Sequence, residues 1–411
     1  MIRKRNAFCD TIVNLSYSPN NYTPDIFSRA CVEAFEQCRW GQFGYSFTQV
    51  FEPAVLHEIA LLTGVPLGRL ARLEPPSSPA TSRLRSMIDQ LADRTVVEMV
   101  NLASCLVTIS RFDLVRDVLA AVAARRTTPR EDFEVGWLEF LVANRSGGGG
   151  GSSAAFDRMR AAVVARAVPG SRMLDASTQA VVWHVKRREL PTASYEWWKE
   201  LGASLAKSPA KVDTGALSSW YRGVAMVPAA EGDAVATRNY MEQARAAAEA
   251  GTGSSGQSGD RGERGAAELN AIKTYYESSI KEHMYVQRDL AAAEEAARAL
   301  IELDPAWSIS YGELAEVHVL AKRPVQASEL YEQAAATGPP YVAYHLLKAT
   351  VYREQCGDLT AALEHYEELA AFAPGSRQVL SGGLALARRL AHPSTAAFER
   401  GLAQIEHDVA G

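Results

Sequence analysis

Three segments near the C-terminus align without gaps: DLAAAEEAARALIELDP (289–305), RPVQASELYEQAAATGP (323–339) and DLTAALEHYEELAAFAP (358–374). Each ends in proline, and Pro305, Pro339 and Pro374 are 34 and 35 residues apart. A small residue recurs at Ala293, Ala327 and Ala362, followed four positions later by Ala297, Tyr331 and Tyr366. Two antiparallel helices of about 12–15 residues with two short turns use ~34 residues, so the period predicts a helical hairpin as the repeating unit. The small residue fits a close helix crossing, and the residue four on lies over the same face. Proline stops one unit and can open the next. A single hairpin cannot bury its apolar side, so such units must stack.

These residues resemble the tetratricopeptide repeat family. In the unit ending at Pro339, Tyr311, Leu314, Ala315, Ala327, Tyr331 and Ala334 stand at that family's characteristic positions, with His318 in place of a tyrosine. The next unit, one residue longer, keeps Ala349, Tyr352, Ala362, Tyr366 and Pro374. Three repeats cover 266–374, and helices at 376–391 and 394–408 form a further, capping pair. The resemblance implies an all-α fold, an α-solenoid in which helical hairpins wind into a superhelix. Between 83 and 250, helix-length pieces separated by breakers such as RTTPRED (126–132) and ELPTAS (189–194) imply four or five degenerate hairpins of the same kind.

The rest of the chain divides around this frame. Residues 1–82 form a small helical N-terminal module ending in EPPSSPATS (74–82), and 251–265 is a flexible glycine- and serine-rich loop. An apolar share of 47% is ample for burial, while a net charge of −5 gives no overall attraction to nucleic acid or an anionic membrane. Five cysteines without a CxxC pair exclude a disulfide framework and a zinc knuckle. With no apolar run of about 20 residues and no leader-like N-terminus, the chain reads as soluble and cytoplasmic.

Enzyme signatures are missing. His57-Glu58 lacks the second histidine of a zinc helix, neither glycine tract is followed by GK[ST], and no GxSxG is present. The eight histidines fall outside metal-ligand spacing of one another. No catalytic residue, metal or cofactor is therefore expected. In Trp197-Trp198, adjacent side chains point to different sides of a helix, so one belongs to the core and the other to an inter-repeat contact.

The family resemblance implies instead a groove, lined by the first helix of each hairpin, that holds a peptide or protein partner. Its expected lining is Ile309, Glu316, Val319, Leu346, Thr350 and Arg353, beside Gly312. A regulatory or scaffolding interaction protein follows. The stretch EIALLTGVPLGRLARLE (58–74) supports a second reading. Ala60, Gly64, Val65, Leu70 and Leu73 follow the spacing of a helix-turn-helix and resemble the phage-repressor-like family, whose regulators often carry such repeats. Pro66, Leu67 and Gly68 occupy the positions that would meet base edges, which leaves Arg69 and Arg72 as DNA contacts. The alternatives are thus a DNA-binding regulator, with its unit at 54–74, and a packing hairpin that seals the end of the solenoid.

Overall fold

The computed structural model describes residues 88–410, apart from short segments at 109–111, 146–151, 187–189, 209, 211, 253–260, 304, 306–307, 338–341 and 373–375. The helix-turn-helix stretch at 54–74 lies outside the described residues. Among the described residues, secondary structure is entirely helical. The chain falls into two compact units, one up to Ala296 and one from Ala297. No helix among the described residues is long and apolar enough to cross a membrane.

The first unit begins with a 3-10 turn at Leu91–Asp93. It continues with α1 (Val96–Thr108), α2 (Phe112–Ala123), α3 (Pro129–Arg145), α4 (Ser152–Val164), α5 (Gly170–Val185) and α6 (Thr192–Ala206). Then come α7 (Thr214–Glu231), α8 (Ala234–Thr252), α9 (Arg261–Glu282), a π turn at His283–Gln287 and the start of α10 (Leu290–Leu303). Local chemistry sets several of these starts. Thr95 and Glu98 bond each other's backbone N–H at 3.2 and 2.8 Å, and Thr128 and Glu131 do the same at 3.3 and 2.7 Å. Each is a capping box that satisfies two orphan donors of a first turn. Asp213 caps α7 by accepting from the Ala216 N–H.

Helices pair as hairpins, α1 with α2, α3 with α4, α5 with α6 and α7 with α8, and alternate helices also pack, α1 on α3, α5 on α7 and α7 on α9. This neighbour and next-neighbour pattern is the organisation of a solenoid. Rings fill the middle of the unit. Phe140 lies 5.2 Å from Phe156 and 5.3 Å from Trp183, and Phe156 meets Trp198 edge-on at 6.0 Å. Trp198 is fully buried, whereas Trp197 is half-buried under the Arg160 guanidinium. Each buried side chain of this size stabilises the fold by roughly 1.5–3 kcal/mol.

The second unit holds the rest of α10, then α11 (Ser308–Leu320), α12 (Pro324–Thr337), α13 (Val342–Gln355), α14 (Leu359–Phe372), α15 (Arg377–Arg389) and α16 (Thr395–Ala410). Its core advances one helix at a time. Ala315, Tyr331 and Ala349 join α11, α12 and α13. Leu346, Leu369 and Val379 join α13, α14 and α15, and Ala362, Leu380 and Phe398 join α14, α15 and α16. The aligned small residues Ala293, Ala327 and Ala362 are all fully buried.

A left-handed residue closes the hairpin turn of each repeat: Arg288, Lys322, Gly357 and Ala391 have φ between 49° and 81°. In the last three, two backbone N–H groups return to the helix just ended. Lys322, Gly357 and Ala391 donate to Val319, Glu354 and Arg388, and Arg323, Asp358 and His392 donate to His318, Arg353 and Ala387. This cap satisfies carbonyls that a helix end would otherwise orphan. The turn recurs with the sequence period, and its presence at Ala391 shows that α15 and α16 form a hairpin of the same kind. The first turn differs, because Asp289 N–H reaches back to His283 across the π turn.

Candidate partner-binding site

Helix α11 is enclosed almost all round: Ser308 to Ala315, Val317 and His318 are buried. Glu316 and Val319 are the half-open positions in this stretch. Around Glu316 the structure assembles a ladder from α13, whose Tyr344, Lys348 and Tyr352 stand four residues apart on one face. Lys348 Nζ lies 3.5 Å from Glu316 Oε1 and 5.5 Å above the Tyr344 ring. Tyr331, from α12, donates its hydroxyl to Glu316 Oε1 and stacks against Tyr352 at 5.9 Å. Val319 and Tyr352 both pack on the Ala315–Tyr331–Ala349 core.

The protonation states follow from burial and charge. Burial, then the Glu316 carboxylate, pushes the Tyr331 hydroxyl far up, so it remains a donor. Burial opposes the Lys348 charge, but Glu316 and Tyr344 outweigh it and hold the ammonium above its usual range. The strip thus sets a fixed cation beside the Glu316 side chain and two tyrosine rings. Such a set can hydrogen-bond and cover a polypeptide segment.

A second cluster lies beside it. Arg353 grips Glu332 with two bonds of 2.6 and 2.8 Å, and Ser328 donates to the same carboxylate at 3.2 Å. Although burial pushes the Glu332 pKa up, the Arg353 bonds prevail and hold it below the usual carboxylate value. His365 stands 3.7 Å from Glu332, and burial lowers its basicity.

The six expected groove residues separate on this framework. Glu316, Val319 and Arg353 are half-buried and border the two clusters. Ile309 at 4%, Leu346 at 3% and Thr350 at 0% exposure are not on an open surface. Leu346 packs with Leu369 and Val379, and Thr350 bonds its own helix through the Leu346 carbonyl. Leu346 therefore faces α14 and α15. Arg69 and Arg72 lie outside the described residues. Sequence reasoning passed over Tyr344 and Lys348, although their spacing with Tyr352 is a legible helix-face signal.

The first unit carries a buried charged seam that the sequence reading also missed. Lys273, Glu277 and Lys281, spaced four apart on α9, are at most 5% exposed. Arg222 of α7 donates to the Thr274 carbonyl and to Ser278 Oγ, each at 3.1 Å. Burial pulls Arg222 down to about 10 while Glu277 opposes the shift, so it stays cationic at neutral pH.

No protein-family model and no curated protein matches the chain. Among solved structures, it is similar to the human IFIT1 dimer with m7Gppp-AAAA, with a TM-score of 0.42 and 12% identity over 97% of this chain and 86% of that one. It is also similar to yeast Tom70, with a TM-score of 0.36 and 11% identity over 72% and 64%. A third is Cut9 in the APC/C hetero-tetramer Cut9-Hcn1, with a TM-score of 0.26 and 11% identity over 93% and 95%. At such low overlap the fold assignment rests on the helix pairing and turns described above, and no ligand of these proteins is carried over.

Proposed function

We propose that the chain is a non-catalytic scaffold or regulatory protein that binds a peptide or protein partner through its C-terminal hairpins. The contact surface is the strip of Glu316, Val319, Tyr344, Lys348, Tyr352 and Arg353. The observation that carries this reading is the Tyr344–Lys348–Tyr352 ladder paired with Glu316, a half-open aromatic and charged strip beside an otherwise enclosed helix. Aromatic residues with a neighbouring charge suit polypeptide recognition, because they give large contact area at low entropic cost.

The test is crosslinking in the full-length protein, with a photoreactive residue at Val351, whose side chain is 40% exposed on α13. A defined partner should be captured by the wild-type background and lost with Lys348→Glu or Tyr344→Ala. Capture that persists unchanged in both variants removes the strip as the contact site. The DNA-binding alternative is tested with the same protein on arbitrary duplex DNA at low salt. A shift abolished by Arg69→Ala plus Arg72→Ala supports it, and no shift removes it.

A further inference from the structure

The end of α9 is locked to α8 by one buried carboxylate. Glu282 is fully buried and ion-paired with Arg238 of α8. Gln287, the last residue of the π turn, donates to Glu282 Oε1 at 2.8 Å and to the Ala234 carbonyl at 2.9 Å. The turn then closes through Arg288 at φ 57°, a left-handed conformation that strains a residue with a Cβ. These contacts must hold the turn against its own backbone strain. A π turn inserts one residue into a helix end and is frequent where a helix has a functional role.

His283 sits at the centre of this joint. Its Nε2 lies 3.4 Å from Arg238 Nη1. A guanidinium can only donate, so this contact requires Nε2 to be the unprotonated acceptor and places the ring proton on Nδ1. Nδ1 is itself buried without a hydrogen-bond partner. Protonation would put an N–H against the guanidinium, turning a hydrogen bond into contact between two cations. The imidazolium could find an acceptor by competing with Arg238 for Glu282, or by turning away from the guanidinium toward Asp289 or Glu295.

We propose that the α8–α9 joint is a proton-sensitive latch, closed while His283 is neutral and loosened when its ring is protonated. The charged groups facing the ring are Arg238 from α8, Glu282 from α9, Asp289 from the turn and Glu295 from α10. Arg238 is also held by Glu242, at 3.7 Å. The three carboxylates around the ring favour a cation, but burial first, together with Arg238, outweighs them and lowers the ring below its ordinary 6.5. The sign follows from linkage. The closed joint binds the proton more weakly than the open one, so closure is complete above 6.5 and weakens as pH falls through the range below it. The latch lies within the first unit and does not depend on the function proposed for the second.

Amide hydrogen exchange on the full chain tests the latch, with rates corrected for the intrinsic effect of pH. On going from about pH 7.5 to about pH 5.5, opening of the 284–290 backbone should rise in the wild type. The rise should approach, and not exceed, about tenfold, the limit that an open-state ring of 6.5 sets one pH unit below its midpoint. In His283→Gln, whose amide oxygen can still accept from Arg238 but does not titrate, the rise should vanish. No rise in the wild type, or an equal rise in the variant, overturns the proposal. Should the variant fail to fold, the wild-type histidine-ring NMR titration decides the matter. A midpoint below 6.5 that tracks amide opening supports the latch, and a midpoint at or above 6.5 overturns it.

Discussion

Gly312 lies against the ring of His345: a Cβ at position 312 would come within 2.8 Å of His345 Nε2. The approach joins α11 to α13, and both residues are buried, so neither can move into free space. Gly312→Ala should therefore destabilise the protein. Overpacking costs about 1–3 kcal/mol, against a helix-propensity gain of at most about 1 kcal/mol. Urea denaturation would check the sign, and an unchanged or raised midpoint would contradict this packing.

His345 is 3% exposed, and burial drives its basicity down to about 3. Its folded-state value is thus depressed below the unfolded one, near 6.5. The stability this neutral ring contributes is complete above pH 6.5 and is lost as pH falls toward 3. Comparison of wild type with His345→Asn should show a gap in unfolding free energy that shifts by about 1.4 kcal/mol per pH unit below that point, against the wild type. Parallel pH profiles for the two proteins would show that the ring does not titrate in this window.

Ala391 occupies a left-handed turn at φ 49° and is exposed, in the place that Gly357 fills one repeat earlier. A Cβ in this region is strained, whereas glycine adopts it without that cost. Ala391→Gly should raise stability by about 0.5–1 kcal/mol, and Gly357→Ala should lower it by a similar amount. Thermal unfolding of the pair would reveal opposite shifts, and shifts of the same sign would contradict a shared turn geometry.

Arg353 holds Glu332 through a two-pronged contact that a lysine cannot reproduce. The pair is partly exposed, which limits its contribution. Arg353→Lys should cost about 0.5–1 kcal/mol, and Arg353→Ala about 1–2 kcal/mol because it leaves Glu332 without its cation. High salt should reduce both losses in chemical denaturation, and a salt-independent loss would point to packing of the arginine stem instead.

The helical repeat was legible because its causes are local. Ala327 and Ala362 are the small residues of the aligned segments and are fully buried, and the C-terminal pair of helices starts at Arg377 and Thr395. In the C-terminal repeats the regular left-handed turn was not legible, because among these turns glycine occupies it at Gly357 alone, while Arg288, Lys322 and Ala391 carry no such mark. Half of the strip proposed for partner binding was named from the sequence. Glu316, Val319 and Arg353 were so named and are half-buried. That Ile309, Leu346 and Thr350 are buried was not legible, because a helix's period fixes which residues share a face but not which way that face turns.

By itself, then, the sequence determined the helical hairpin and its period, since helix length, caps and small crossing residues act within a few turns of chain. Tertiary packing decided which faces stay open and which charges are buried. It turned Leu346 toward Leu369 and Val379, left Lys348 beside Glu316, and enclosed Glu282 with Arg238 and His283. The physical reason is that burial depends on contacts between residues distant in sequence, and a rotation of one helix by a fraction of a turn exchanges an exposed side chain for a buried one.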